Sequence, residues 1–230
     1  MGKIAERIKV YQICDNDQRL SSHKKFISDG TIDPSSYTQV FNAEVFDDND
    51  AIRLEDLFYM FNDDEDCHPL YRGTHMSVGD IIVNDDGAFY CNEVGFTKVN
   101  FDETKTVKQN NLFRVVYVEP HRPAYESWVE NSLEGEQKAV SGLIELIYND
   151  DGTIIVCNDE AKLIGMEGNR HLDNGVSIIA GSFFIVGDDG EDFRSLTDEE
   201  VDRYVKKYSK PEEISVEDTI ADMGVYFYEF

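Results

Sequence analysis

Cys67 and His68 stand side by side, with His75 and Cys91 downstream, and these residue types bind zinc. Structural zinc sites show two tight ligand pairs, of the C-x-x-C or H-x-x-x-H kind. Only one pair is close here, so the four read as a polar loop with one buried cysteine. Cys157-Asn158-Asp159 with His171 has the composition of a thiol hydrolase. Cys157, however, ends an apolar stretch, where a cysteine is buried and inert. Asp63-Asp64-Glu65-Asp66 lacks the alternating carboxylates of an EF-hand loop and reads as a solvated acidic loop. No Walker loop, GxGxxG, HExxH or GxSxG occurs. Gly165 to Arg170 reads as a turn, and Tyr11, Tyr37, Tyr71 and Tyr90 as sheet aromatics rather than a base-stacking platform. The expectation is a protein without catalytic residues, resident metal or cofactor.

The acids remain. The chain carries 47 Asp and Glu against 21 Lys and Arg, a net of −26 in 230 residues. Nucleic acid and anionic membrane would both repel such a surface. A protein with a basic surface would attract it. Duplex DNA carries about one charge per 1.7 Å of axis, so −26 matches about 44 Å of duplex, or about thirteen base pairs. The excess is spread over both halves rather than held in a tail. Its densest runs are Asp47-Asp48-Asn49-Asp50, Asp63-Asp64-Glu65-Asp66, Asp188-Asp189-Gly190-Glu191-Asp192 and Asp198-Glu199-Glu200. Candidate partner-binding residues are Asp47, Asp48, Asp50, Asp63, Asp64, Glu65, Asp66, Asp188, Asp189, Glu191 and Asp192. For any one run the alternative is a solvated face.

These runs sit between elements that must fold to display them. Acidic disordered chains are poor in aromatics; this one holds 14 Phe and 12 Tyr. Ile8–Cys14 and Tyr37–Phe46 read as strands, and residues 53–62 as an amphipathic helix. Ser22 is expected to cap a short helix ending near Gly30. Asn84-Asp85-Asp86-Gly87 marks a hairpin, followed by a strand at Gly95–Phe101. Residues 102–112 are polar and read as a linker, giving domains at 1–104 and 112–230. Beyond it, Phe113–Val118 reads as a strand, and Asn131 as the cap of a helix over 132–141. Leu143–Tyr148 and Thr153–Cys157 form a hairpin, and Ile178–Val186 a central strand with Gly181 as a bulge. A capping box at Thr197 to Glu200 opens a helix stopped by Pro211, and Val225–Phe230 is a last strand. The expected class is α+β: two small domains with mixed, mostly antiparallel sheets and short helices. The start MGKIAERIKV shows no signal peptide, and Glu6 stands where a myristoylation site needs Ser or Thr. Scattered cysteines and no 18-residue apolar run then point to a cytoplasmic protein with free thiols and no membrane association.

Val10-Tyr11-Gln12-Ile13, Leu54-Glu55-Asp56-Leu57-Phe58, Tyr71–Ile82, Phe89-Tyr90-Cys91 and Gly95-Phe96 together resemble the YodL-like family over residues 7–101. That family's usual Gly-Arg-Ser-Leu-Ser-Val-Ser-Asp departs here, where Thr74-His75-Met76 replaces Arg-Ser-Leu. The second half resembles a domain of unknown function through Val116–Pro120, Gly142–Glu145, Val156–Glu160, Ala180–Gly187 and Asp192–Glu199. The resemblances imply a setting on conjugative elements and phages, beside antirestriction proteins, and they carry over no catalytic residue. With the charge, they give the expected function: a mobile-element anti-defence protein, of anti-CRISPR or antirestriction type. It would block the basic channel of a host nuclease complex by mimicking nucleic acid. The alternative is a sponge for nucleotide signals, marked by Arg72, Arg114, Arg122, Arg170 and Arg194 converging on one pocket.

Overall fold

The computed structural model describes residues 4–47, 52–65, 67–172, 175 and 177–223. The chain divides into two compact units, residues 1–110 and 111–230, each mixed α+β with antiparallel sheets.

The first unit is built on β1 (Ile4–Ile13), α1 (Asn16–Asp29), β2 (Tyr37–Asp47), α2 (Leu54–Met60), β3 (Ile81–Asn84), β4 (Gly87–Cys91) and β5 (Phe96–Val99). Its strands run in the order β2-β1-β3-β4-β5, every pair antiparallel. A register shift between Val10 and Tyr11 lets both of these neighbours be buried. Phe41, Phe61 and Tyr71 close one apolar cluster, with ring centroids 4.9 and 4.5 Å apart. Tyr11, Ile13, Tyr37, Ile81 and Tyr90 form another, with Phe26 of α1 stacked at 3.9 Å on Tyr90.

Helix α1 starts well before the expected Ser22 cap. Asp15 caps it by accepting from Asp17 N, and Gly30, at φ 70°, ends it. Its inward stripe is Arg19, Ser22, His23 and Phe26, mostly polar, so hydrophobic periodicity gives little sign of it. The expected linker is also fastened to this unit through residue 107. Glu103 accepts from Lys9 Nζ (2.8 Å) and Tyr11 Oη (2.5 Å), and Val107 N donates to Tyr37 O. One carboxylate, one backbone amide and the Thr38 hydroxyl, which donates to Val107 O, do this, and none leaves an apolar pattern.

The second unit holds β6 (Leu112–Val118), β7 (Tyr125–Glu130), α3 (Leu133–Val140), β8 (Ile144–Tyr148), β9 (Thr153–Asn158), β10 (Gly168–His171), β11 (Ile178–Ala180), β12 (Phe183–Asp188), β13 (Phe193–Arg194), α4 (Asp198–Lys207) and α5 (Val216–Asp222). The main sheet runs β7-β6-β12-β9-β8, with β13 on β12. Val116, Val118, Ile155, Cys157, Phe183 and Ile185 pack under Val201, Tyr204 and Tyr208 of the α4 segment. The intervening Tyr117, Val156 and Phe184 are also fully buried, and Tyr117 Oη donates to Ala139 O of α3. Burial on both faces explains the unbroken apolar runs of β6, β9 and β12.

Three further expectations are corrected. The expected strand Ile178–Val186 is two strands in two sheets, because Gly181 turns the chain at φ 70°; a Cβ there would lie 2.6 Å from Met166 Sδ. Gly168–Arg170, expected as a turn, lies in β10 and pairs with β11. Ser132, not Asn131, caps α3. Strand β7 and helix α5, the latter opened by a Ser215–Asp218 capping box, were not anticipated. The capping box of α4 forms as expected. The expected strand Val225–Phe230 lies outside the described residues.

Candidate functional site

The zinc candidates have other engagements. His68 is buried, its Nδ1 accepts from Leu70 N at 3.1 Å, and burial holds the ring down to about 4. His75 Nε2 meets Asp64 Oδ1 at 2.8 Å, while Cys91 is buried in β4. Among the described residues, no three His, Cys, Asp or Glu converge to hold a metal. Cys157 Sγ faces Glu145, and burial pushes its thiol up to about 12. His171 instead bonds Glu212 at 2.6 Å.

The segment Tyr71–Asp80 serves the fold. Asp80 is fully buried and accepts from Arg19 Nη1 (2.7 Å), Gln12 Nε2 (2.9 Å) and Ser77 N (2.8 Å). Gln12 exchanges bonds with the backbone of Thr74, and a Cβ on Gly73 would lie 2.5 Å from its Oε1. These bonds pin the loop to β1 and α1. They hold backbone and buried carboxylate, and Thr74 takes part mainly through its main chain, with its hydroxyl 3.4 Å from Gln12 Oε1.

The acidic candidates divide. Asp63, Asp64 and Glu65 lie exposed after α2; Asp63 holds its own turn through Glu65 N, and Asp64 is the partner of His75. Asp47, half-buried, ends β2 opposite Ile4. At the same end of the sheet, Glu6, Glu44, Asp85 and Asp86 approach from β1, β2 and the β3–β4 turn, with Glu6 Oε1 accepting from Asp85 N. Burial first, then the neighbouring carboxylates, holds Glu6 above its ordinary range. Sequence reading missed this group because its members are neighbours only across strands. Asp48, Asp50 and Asp66 lie outside the described residues.

In the second unit the fold gathers three runs that are far apart in sequence. Asp188 N donates to Gly152 O at 3.0 Å, which sets the β12–β13 turn beside the β8–β9 turn. Asp188 Oδ1 accepts from Gly190 N, so Asp188 shapes the turn that displays Asp189, Glu191 and Asp192. Asp150 and Asp151 contribute from the other turn, and Arg203 of α4 bonds Asp151 at 2.8 Å. Arg194 forks onto Glu200 at 2.8 Å on both oxygens, bringing in the start of α4. The result is an acidic rim on one end of the main sheet, built on two turns and a helix start.

Glu200 is the rim's anchor. The Arg194 fork, joined by Thr197 N and Oγ1, holds its carboxyl down to about 2. A carboxyl depressed in the folded state stabilises above its unfolded value near 4.5 and loses that contribution as pH falls toward 2. Glu200→Gln is therefore expected to cost on the order of 3 kcal/mol at pH 7 and almost nothing at pH 2. Denaturation followed by the fluorescence of Trp128, the single tryptophan, measures it. An equal loss at both pH values refutes the assignment.

Of the five cations expected to mark an anion pocket, three are engaged by local partners, and Arg72, in the first unit, donates to Leu70 O and Gln39 O. Arg114 pairs with Glu126 and Asp198, Arg194 with Glu200, and the buried Arg170 donates to carbonyls of Asn169, Arg122 and Tyr208. Among the described residues, no helix is long and apolar enough to cross a membrane.

Comparison with known families agrees with the two halves. Residues 7–101 match the model of the YodL-like domain, and residues 113–209 match a domain of unknown function (DUF3846). No curated protein and no solved structure matches the chain. The chain thus joins a YodL-like domain to a DUF3846 domain, one in each compact unit.

Proposed function

We propose that this protein is a non-enzymatic anti-defence inhibitor of antirestriction or anti-CRISPR type, carried by a mobile element and acting in the cytoplasm. Its acidic rim occupies the basic nucleic-acid channel of a host nuclease complex. The observation that carries the reading is the convergence of Asp150, Asp189, Glu191 and Asp192 at one end of the second sheet, beside Asp151, which is held by Arg203 and Thr153. Like charges brought together repel, and a fold that needed only solubility would spread them. Carboxylates on rigid turns replace phosphates in the channel, and charge supplies mainly speed and orientation of encounter. A nucleotide sponge is less well supported, since Arg114 and Arg194 are each neutralised by carboxylates.

The test uses purified restriction and CRISPR effectors, each with its own nucleic acid as competitor. Association should slow by about tenfold or more when Asp189, Glu191 and Asp192 are changed to lysine, with a smaller change in dissociation. Asp64→Lys with Glu65→Lys is the companion variant for the first unit. Asp188 and Asp63 stay unchanged, because their side chains hold their turns. Binding should weaken as salt rises. Inhibition that persists with both groups reversed, or nucleic acid bound alongside the inhibitor, overturns the proposal.

A further inference from the structure

Helix α1 is held to its sheet by one stripe: Arg19 reaches Asp80, His23 Nδ1 lies 3.0 Å from Tyr90 Oη, and Phe26 stacks on Tyr90. A flanking stripe, about a quarter of the way round the helix, carries Leu20 and Ile27, two turns apart, 63% and 67% exposed. Beside them, Val94 stands at the tip of the β4–β5 turn, 92% exposed. Helix and turn enclose a groove of about 600 Å³, with Lys24 on the helix side and Glu93 on the turn side. Three large apolar side chains on one groove of a chain this polar mark an interaction surface.

Charge selects the occupant. Among the described helices, α1 is the one in which cations outnumber carboxylates: Arg19, Lys24 and Lys25 against Asp17 and Asp29. Two copies of a chain of net −26 repel, and they approach at least cost through the face that carries least of that charge. The groove is also self-complementary. It offers a knob (Val94) and a slot (Leu20 and Ile27), a cation and an anion, all on one surface. A two-fold axis needs that combination, because it makes the same patch serve as both partners.

From this we infer that two copies of the chain associate about a two-fold axis, Val94 of each seated between Leu20 and Ile27 of the other and Lys24 paired with Glu93. The patch is small beside the roughly 1,200–2,000 Å² of stable interfaces, so association is weak. Its salt dependence has a distinctive sign. Added salt weakens the two exposed Lys24–Glu93 pairs, but it screens the repulsion between two bodies of net −26 by more and costs the apolar contact nothing, so dimer should increase with salt. Binding through the acidic rim runs the other way, which separates this inference from the proposed function.

Sedimentation of the full chain up to about 0.3 mM, at about 0.05 and 0.5 M salt, reads the outcome. A monomer–dimer equilibrium favouring dimer at the higher salt is expected. Val94→Asp, at a fully solvated position that the fold does not need, should leave monomer throughout. Lys24→Glu should weaken the dimer at least several-fold, and Lys24→Glu combined with Glu93→Lys should restore it. A monomer at every concentration and salt, a dimer indifferent to Val94→Asp, or a charge swap that fails to restore association each overturns the inference.

Discussion

Replacing Asp80 with alanine is expected to destabilise the first unit by about 3–5 kcal/mol, the range for breaking a buried ion pair. Asp80 is wholly buried, and Arg19, the cation bonded to it, keeps 18% of its side chain exposed. Burial pushes the carboxyl up to about 6 against the pull of Arg19. At pH 7 the group is therefore ionised and depends on all three donors. Alanine leaves Ser77 N and Gln12 Nε2 without this acceptor and frees the loop before β3 from α1. Arg19→Met tests the same pair from the other side. Without its cation the folded carboxyl rises further above its unfolded value, and a carboxyl raised on folding loses stability as pH rises. The Arg19→Met deficit should thus be larger at pH 8 than at pH 5. Hydrogen exchange in β1 and β3 reports the first unit, while Trp128 fluorescence reports the second. For Asp80→Ala, exchange should accelerate with the tryptophan transition unmoved. A loss under 1 kcal/mol, or a deficit for Arg19→Met that shrinks with pH, contradicts this account.

The sequence was legible where apolar side chains alone set the structure. Asn84-Asp85-Asp86-Gly87 and Asn149-Asp150-Asp151-Gly152 announce their hairpins because turn residues interrupt apolar runs. Thr197 and Glu200 announce α4 by a capping box that needs only local spacing. What stayed hidden was held by polar groups. The start of α1 rests on Asp15 and on Arg19 reaching a carboxylate 61 residues away. The β10–β11 pair uses Asn169, whose side-chain amide donates to Val118 O and Gly181 O inside the core. Such bonds obey no period. The acidic runs were visible as composition, but not their arrangement: nothing in residues 149–152 or 188–192 says that Gly152 and Asp188 share a hydrogen bond. Long-range register makes the rim from local runs.

Arg170→Ala should be the most damaging single change in the second unit, again about 3–5 kcal/mol, by a different route. Arg170 is 1% exposed and donates to Asn169 O, Asn169 Oδ1, Arg122 O and Tyr208 O at 2.7–3.2 Å. Tyr208 is the C-cap of α4, so the cation lies against the negative end of the helix dipole. One planar fork thereby joins β10, the turn at Arg122 and the end of the helix that begins at the rim. Alanine removes the donors, at about 1–3 kcal/mol for each carbonyl left unsatisfied, and opens a cavity as well. Arg170→Lys should recover part of the loss, because one ammonium keeps the charge without the fork. Arg170→Met separates the terms: it fills the stem and removes charge and donors together. If methionine is as stable as arginine, the fork carries no stability and this account fails. Screening does not reach a group this deep, so the Arg170→Ala deficit should be the same at low and high salt. That independence also sharpens the functional test. Arg170→Ala leaves every rim carboxylate in place and should reduce inhibition only in proportion to the unfolded fraction, whereas reversal of Asp189, Glu191 and Asp192 should reduce it in fully folded protein. A folded Arg170→Ala protein that fails to inhibit would move the binding site away from the rim.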